Sequence, residues 1–116
     1  PVSLIDLYPT LADLAGLQAP GHLQGSSLRP LLGHPERMGQ RKYAYSVVTR
    51  GPKNLGYALR NQNWRYGKWP DGEELYNLRN DPQEKNNLAQ KEHLKDRLDE
   101  FREILANKQK LLNKRD

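Results

Sequence analysis

Three zones with different hydrophobic periods follow one another along the chain. Residues 3 to 16, SLIDLYPTLADLAG, place Leu4, Leu7, Leu11, Leu14 and Ala15 at helical spacing, with Gly16 where a helix would stop. That stripe predicts a short buried helix. Ser3 or Asp6 would open it, and Pro9 would fall in its first turn, where a missing N–H loses no intrahelical acceptor. Residues 17 to 42 lose the period and turn to Gly, Pro, Ser and His, with GSSLRPLLG supporting at most one further helical turn. This stretch is expected as a surface excursion.

The middle zone, residues 43 to 78, alternates with period two and holds seven of the nine aromatic residues, so it reads as strands. Tyr43, Tyr45 and Val47 alternate, as do Leu55, Tyr57 and Leu59, then Trp64, Tyr66 and Trp69, and ELYNL at 74 to 78 supplies a last strand. The breaks at GPKN (51 to 54), NQN (61 to 63) and PDG (70 to 72) are short enough for hairpins, which makes an antiparallel meander the natural topology. After NDPQEKNN, residues 88 to 114 carry Leu88, Leu94, Leu98, Phe101, Leu105 and Leu112 along one side of a charged segment. An amphipathic helix of about seven turns is expected there to cover the sheet, which is too small to stand alone in water.

The expected fold is therefore α+β: a four-stranded antiparallel sheet packed against a long C-terminal amphipathic helix, with a short N-terminal helix. Residues 1–42 are the helix and the loop leading into the sheet, 43–78 the sheet, and 79–116 the turn and C-terminal helix. With 35% apolar residues the chain has little from which to build an interior, so it is one modest domain or a piece of a larger protein. Opening in mid-pattern at Pro1-Val2-Ser3, it reads as a fragment.

Cysteine is absent, which removes disulfides, thiolate metal sites and a cysteine nucleophile. Three scattered histidines, His22, His34 and His93, make no zinc ligand set. Nineteen Lys and Arg against fourteen Asp and Glu give +5, a mild excess that suits sulfated glycans or nucleic acid without singling out either. Residues 1 to 82 carry ten basic and seven acidic groups and residues 83 to 116 nine and seven, so no basic arm exists. An alternative is a basic α+β module binding polyanions through Tyr and Trp, or a protein partner through the last helix. Its weakness is that a polyanion groove needs one-sided charge, and here the signs are mixed. No apolar run is long enough to span a bilayer, and neither membrane nor nucleic acid is expected as a partner.

Three segments in order carry a resemblance. VSLIDLYPTLADLAGL followed by GSSLRPLL is similar to a stretch near the carboxyl end of the type I, formylglycine-dependent sulfatases. GYALRNQNWRYGKW resembles the strand pair of sulfatases similar to iduronate 2-sulfatase, and ELYNLRNDPQEKNNLA resembles the motif closing their small C-terminal sheet. The resemblance covers residues 2 to 89 and implies the smaller C-terminal subdomain of a sulfuric ester hydrolase of the alkaline phosphatase superfamily. It also implies an N-terminal catalytic domain as partner, a sulfated carbohydrate substrate, calcium and formylglycine in the parent enzyme, and a periplasmic, secreted or lysosomal setting. The cysteine that would become formylglycine is not in this chain, and Asp6, Asp13, Asp71 and Asp81 are isolated in sequence, so no catalytic or metal residue is expected and the fragment alone is expected to be inactive.

What such a subdomain would add is part of the rim around the sugar. The loop WPDGEELY is expected to present Trp69 as an apolar platform for a sugar face and Glu74 as an acceptor for hydroxyls, against the ordinary alternative that a strand-end Trp packs and a hairpin Glu is solvated. His22 and His34 are read as exposed loop residues, and Arg60 and Arg65 as cross-strand partners of acidic groups. An apolar first helix without a neighbour would also favour self-association of the fragment.

Overall fold

The computed structural model describes residues 1–37, 41–49, 51 and 55–113, with side chains up to Leu111. The expected hairpin at GPKN, apart from Gly51, and the side chain of Leu112 lie outside the described residues. The chain divides into two compact units, Pro1–Ala44 and Tyr45–Asp116.

In the first unit a single 3-10 turn, Leu4–Asp6, runs into helix α1, Leu7–Leu14, and a five-residue helix α2, Arg29–Gly33, follows the loop. The end of α1 is closed as the glycine predicts. Gly16 adopts φ +71°, the Leu17 N–H reaches the Ala12 carbonyl at 2.8 Å, and the Gly16 N–H reaches that of Asp13 at 3.1 Å. This is the paired bonding of a Schellman cap, which satisfies carbonyls the helix leaves open.

The buried side of α1 is the opposite of the one expected. Leu4, Leu7, Leu11 and Leu14 are 84%, 52%, 65% and 54% exposed, while Asp6, Pro9 and Thr10 are buried. The reason lies in the loop, whose backbone donors need acceptors and find them on the polar side of the helix. Asp6 Oδ1 accepts the Ser26 N–H at 3.0 Å and Thr10 Oγ1 accepts the Leu28 N–H at 2.9 Å. Asp13 takes the Ser27 hydroxyl at 2.6 Å and the Arg29 guanidinium at 2.9 Å. Asp6, Thr10 and Asp13 sit at i, i+4 and i+7, so one helix face carries a polar ladder and the other the leucines.

Asp6 is the hub of this unit. Besides Ser26 it accepts the Ser3 N–H at 2.9 Å, which caps the helical segment, and Arg41 grips it from Nη2 at 2.6 Å and Nε at 3.2 Å. Burial pushes its carboxyl pKa up, but Arg41 and the two backbone donors outweigh that and leave it below the ordinary 3.8.

The sheet, which lies in the second unit but for Ala44, has four strands, β1 Ala44–Thr49, β2 Leu55–Arg60, β3 Trp64–Trp69 and β4 Gly72–Asn77, in the order β1-β2-β3-β4 of the expected antiparallel meander. Two breaks behave as their residues dictate. The Asn61 carboxamide accepts the Asn63 and Trp64 N–H groups at 2.9 and 2.8 Å, and Pro70-Asp71 form a two-residue loop because Trp69 pairs with Gly72. Register sets Tyr66 opposite both Leu59 and Leu75, and these three, all buried, form the sheet side of the core.

The other side of the core is helix α3, Lys95–Asn113, preceded by a 3-10 turn, Glu92–Leu94. Leu98, Phe101 and Leu105 are its buried face, and the Phe101 ring lies 5.8 Å from that of Tyr66. At 19 residues α3 makes about five turns, not seven, and begins seven residues later than the apolar spacing suggests. Residues 87 and 88 are held instead by strand β4: the Asn87 carboxamide accepts the Leu75 N–H at 3.0 Å and donates to the Glu73 carbonyl at 3.0 Å, while the Leu88 N–H reaches the Leu75 carbonyl at 2.8 Å. A polar clasp joins helix and sheet above the core, where Glu73 accepts the Tyr66 hydroxyl at 2.5 Å and the Arg102 Nε at 3.0 Å. Arg102 holds the Glu73 carboxyl below its usual range; burial, then Glu73, holds the Tyr66 phenol above its own.

Candidate functional site

Alternation along β3 and β4 decides what faces away from α3. With Tyr66 and Leu75 in the core, Arg65, Gly67 and Trp69 of β3 and Glu74 and Tyr76 of β4 share the opposite face. On it lies a groove of about 510 Å³ lined by Arg65, Trp69, Asp71, Glu74, Tyr76 and Glu84 among others. Trp69 and Glu74 are thus brought together, but as strand residues: WPDGEELY is mostly β3 and β4, and only Pro70 and Asp71 form the loop.

Two glycines make room for them. A side chain at Gly56 of β2 would stand 2.3 Å from Trp69 Cζ3, so the indole ring occupies the space that Gly56 leaves empty. At Gly67 an added Cβ would lie 3.1 Å from Glu74 Oε2 and 3.8 Å from Trp69 Nε1, which places the carboxylate and the indole nitrogen over the same bare stretch of backbone. Trp69 is half-buried: it packs on the sheet, as a strand-end Trp ordinarily does, and also lines the groove.

Arg65 pairs as expected of it, with Glu74 at 3.5 Å and in an ion pair with Glu84, and its guanidinium lies 5.4 Å from the Tyr76 ring centroid. Glu84, at φ 54°, is the one non-glycine residue with positive φ among those described. The turn that gives it this conformation is held by Asp81, whose carboxylate accepts the Asn86 N–H at 2.8 Å and whose carbonyl accepts the Glu84 N–H at 3.1 Å. Backbone donors, that of Asn86 first, keep the Asp81 carboxyl below its ordinary value. Arg60 lies opposite Arg65 in the register and is exposed. His22 and His34 are exposed in the first unit, His34 beside Glu36 at 3.2 Å.

Sequence reasoning singled out Trp69 and Glu74, and not Tyr76, Glu84 or the two glycines that lie beside them. The period-two rule, applied from Trp69 and Glu74 to their same-face neighbours, would have reached Tyr76 and Gly67; Glu84 comes from a turn, where no period applies. One cation, Arg65, faces three carboxylates, Asp71, Glu74 and Glu84, so the groove is acidic. Such a surface suits hydroxyl donors lying on an aromatic wall and repels a sulfate group or a nucleic acid backbone. Among the described residues no three His, Asp or Glu side chains are grouped to hold a metal ion, and no helix is long and apolar enough to cross a membrane.

The fold is that of a sulfatase C-terminal domain. Residues 2–111 match the family described as N-sulphoglucosamine sulphohydrolase, C-terminal, and the chain belongs to that family. It is 35% identical over 100 residues to arylsulfatase K of Xenopus laevis, covering 76% of this chain and 19% of that protein. It is 34% identical over 110 residues to the Delta 4,5-hexuronate-2-O-sulfatase of Bacteroides thetaiotaomicron, covering 87% and 22%. Among solved structures, a protein in complex with its substrate D-glucosamine-2-N,6-O-disulfate superimposes with a TM-score of 0.81 at 28% identity, over 96% of this chain and 24% of the other. The chain spans about a fifth of the length of the curated relatives it matches.

Proposed function

We propose that this chain is the C-terminal subdomain of a sulfuric ester hydrolase that cleaves sulfate esters on a sulfated sugar, in the manner of an iduronate 2-sulfatase-like enzyme, and that it supports the catalytic domain and contributes to the substrate rim. The family match over residues 2–111 carries this reading, and the named relatives that act on hexuronate and glucosamine sulfates support the sugar. Formylglycine does not fit this chain, which has no cysteine to form it, and among the described residues no three His, Asp or Glu side chains are grouped to hold a calcium ion. Both are assigned to the N-terminal catalytic domain, and the isolated chain is inactive. Purified at increasing concentration with an aryl sulfate, it gives no hydrolysis above buffer; turnover proportional to its concentration overturns this part.

At the rim, Trp69 and Tyr76 offer ring surface, and Glu74 accepts from sugar hydroxyls while Arg65 fixes its carboxylate. The acidic groove takes the uncharged flank of the sugar and leaves the sulfate to the catalytic domain. In the intact sulfatase, Trp69→Phe and Glu74→Gln lower kcat/KM for a sulfated oligosaccharide by about tenfold and leave a small aryl sulfate unaffected. Equal kcat/KM for the oligosaccharide in wild type and variants removes the rim role.

A further inference from the structure

The first unit holds a cavity of about 470 Å³ that shares no lining residue with the groove of the sheet. Asp6, Ser26, Arg37 and Arg41 supply its polar wall, and Leu28 and Leu31 an apolar one. The loop from 17 to 28 is pressed into place to form that wall. At Gly25 an added Cβ would collide with the Ile5 carbonyl of the first 3-10 turn, so only glycine lets the loop come this close and set the Ser26 N–H on Asp6. The far side is fixed by a turn in which the Arg37 N–H donates to the His34 carbonyl at 3.0 Å.

What the cavity binds follows from its donors and acceptors. The one carboxylate in its wall among the described residues is already spent. Asp6 Oδ1 accepts from the Ser26 N–H and Arg41 Nη2, and Oδ2 accepts from the Ser3 N–H and Arg41 Nε. Two bonds on each oxygen fill the acceptor sites of a carboxylate, so nothing is left there for the hydroxyl or ammonium group of a ligand. Arg41 cancels the charge of Asp6, and Arg37 remains over. Arg37 has no ion pair among the described residues, and the neighbouring Glu36 is taken by His34 at 3.2 Å. The unspent donors are the guanidinium of Arg37, the N–H groups of Arg41 that do not reach Asp6, and the Ser26 hydroxyl, which makes no hydrogen bond among the described residues. The groove of the sheet has the opposite balance, with Arg65 against three carboxylates.

We infer that this cavity is a binding site for a sulfate group, gripped by Arg37 and by the donors that Arg41 does not spend on Asp6. Guanidinium groups suit such an oxyanion because their planar fork donates to two of its oxygens at once. A free sulfate ion and a sulfate carried on a sugar offer the same chemistry. The sugar-borne group gains a further contact, since Leu28 and Leu31 line the cavity and take the apolar side of the ring that carries it. That a sulfated sugar comes to the cavity rests on the proposed function; that a sulfate group fits it does not.

The test is arginine labelling by phenylglyoxal in the intact sulfatase, resolved to single residues by peptide mass spectrometry. Arg60, which is exposed and lines neither cavity, is the reference within the same molecule. Sodium sulfate, a sulfated oligosaccharide and an uncharged oligosaccharide of the same length are titrated separately, with sodium chloride holding the ionic strength constant. At about ten times the dissociation constant of a bound probe, Arg37 is expected to label about tenfold more slowly while Arg60 keeps its rate. Protection by sodium sulfate shows that the free ion suffices, and protection by the sulfated oligosaccharide alone assigns the site to sugar-borne sulfate. The inference is overturned by protection from none of the probes, by equal protection from the uncharged oligosaccharide, or by equal slowing at Arg60. An Arg37 that labels slowly before any probe is added overturns it too, because another part of the protein then covers the cavity. Sulfate released from the oligosaccharide is measured in the same sample and keeps the two readings apart. An active enzyme whose Arg37 is never protected loses the sulfate site and keeps the proposed function, whereas protection in a protein that releases no sulfate does the reverse.

Discussion

Phe101→Ala is expected to destabilise the second unit by about 3 to 5 kcal/mol, a large share of the roughly 5 to 15 kcal/mol that holds a domain together. The ring is fully buried between α3 and the sheet, with Tyr66 at 5.8 Å and Leu98 and Leu105 on its own helix. Only six apolar residues among those described form this core, and no neighbour is spare to close the cavity. Removing the ring also uncovers Tyr66, whose hydroxyl is committed to Glu73 and cannot follow into the gap. Thermal unfolding followed by far-ultraviolet circular dichroism should show a midpoint lower by more than about 10 °C, whereas Phe101→Leu costs under about 1.5 kcal/mol. An alanine variant within about 1 kcal/mol of wild type would mean that α3 is held by its rim pairs, such as Arg102 with Glu73, and not by its core.

The second large effect is expected in the first unit. Asp6→Ala leaves the partly buried Arg41 guanidinium without its carboxylate and the Ser3 and Ser26 N–H groups without an acceptor, at a cost of about 3 kcal/mol. Because the loop is attached to the helix through this residue, amide exchange across residues 3 to 15 and 26 to 28 should accelerate together. Asp6→Asn keeps the shape and removes the charge, and it carries the pH test. The folded carboxyl titrates below its ordinary 3.8, so the stability it contributes is whole well above that pH and is lost as pH falls through the folded value. Wild type and Asp6→Asn should therefore differ most near neutrality and converge in acid. A gap that stays constant down to strongly acid pH would show that Asp6 acts through shape alone.

How much of this was legible in the sequence differs between the two units for a physical reason. Strand alternation and the short breaks at NQN (61 to 63) and PDG (70 to 72) placed the meander, because period two and turn chemistry are local properties. The spacing of Leu98, Phe101 and Leu105 likewise gave the helix that covers it. Leu88 was drawn into that helix by its spacing alone, since the competing bonds of Asn87 and Leu88 to β4 come from strand residues a dozen positions away. What bonds to the polar side of α1 was not legible for a sharper reason. An apolar stripe states which side seeks burial but not which molecule or domain provides it, and the polar ladder depends on donors in a loop without periodicity. In the groove, Trp69 and Glu74 stood out by residue type, whereas Gly56 and Gly67 contribute by what they lack.

The bonds of Asn87 and Leu88 to β4 also bear on how this sheet meets other chains. They occupy the outward N–H and C=O of Leu75 and the carbonyl of Glu73 at the middle of the strand, so the last edge of the meander is closed to any incoming extended segment. Growth by strand addition is then restricted to β1, where Val47 and Val48 lie open to solvent, and a charge introduced at either valine is the simplest guard against polymerisation of the isolated domain.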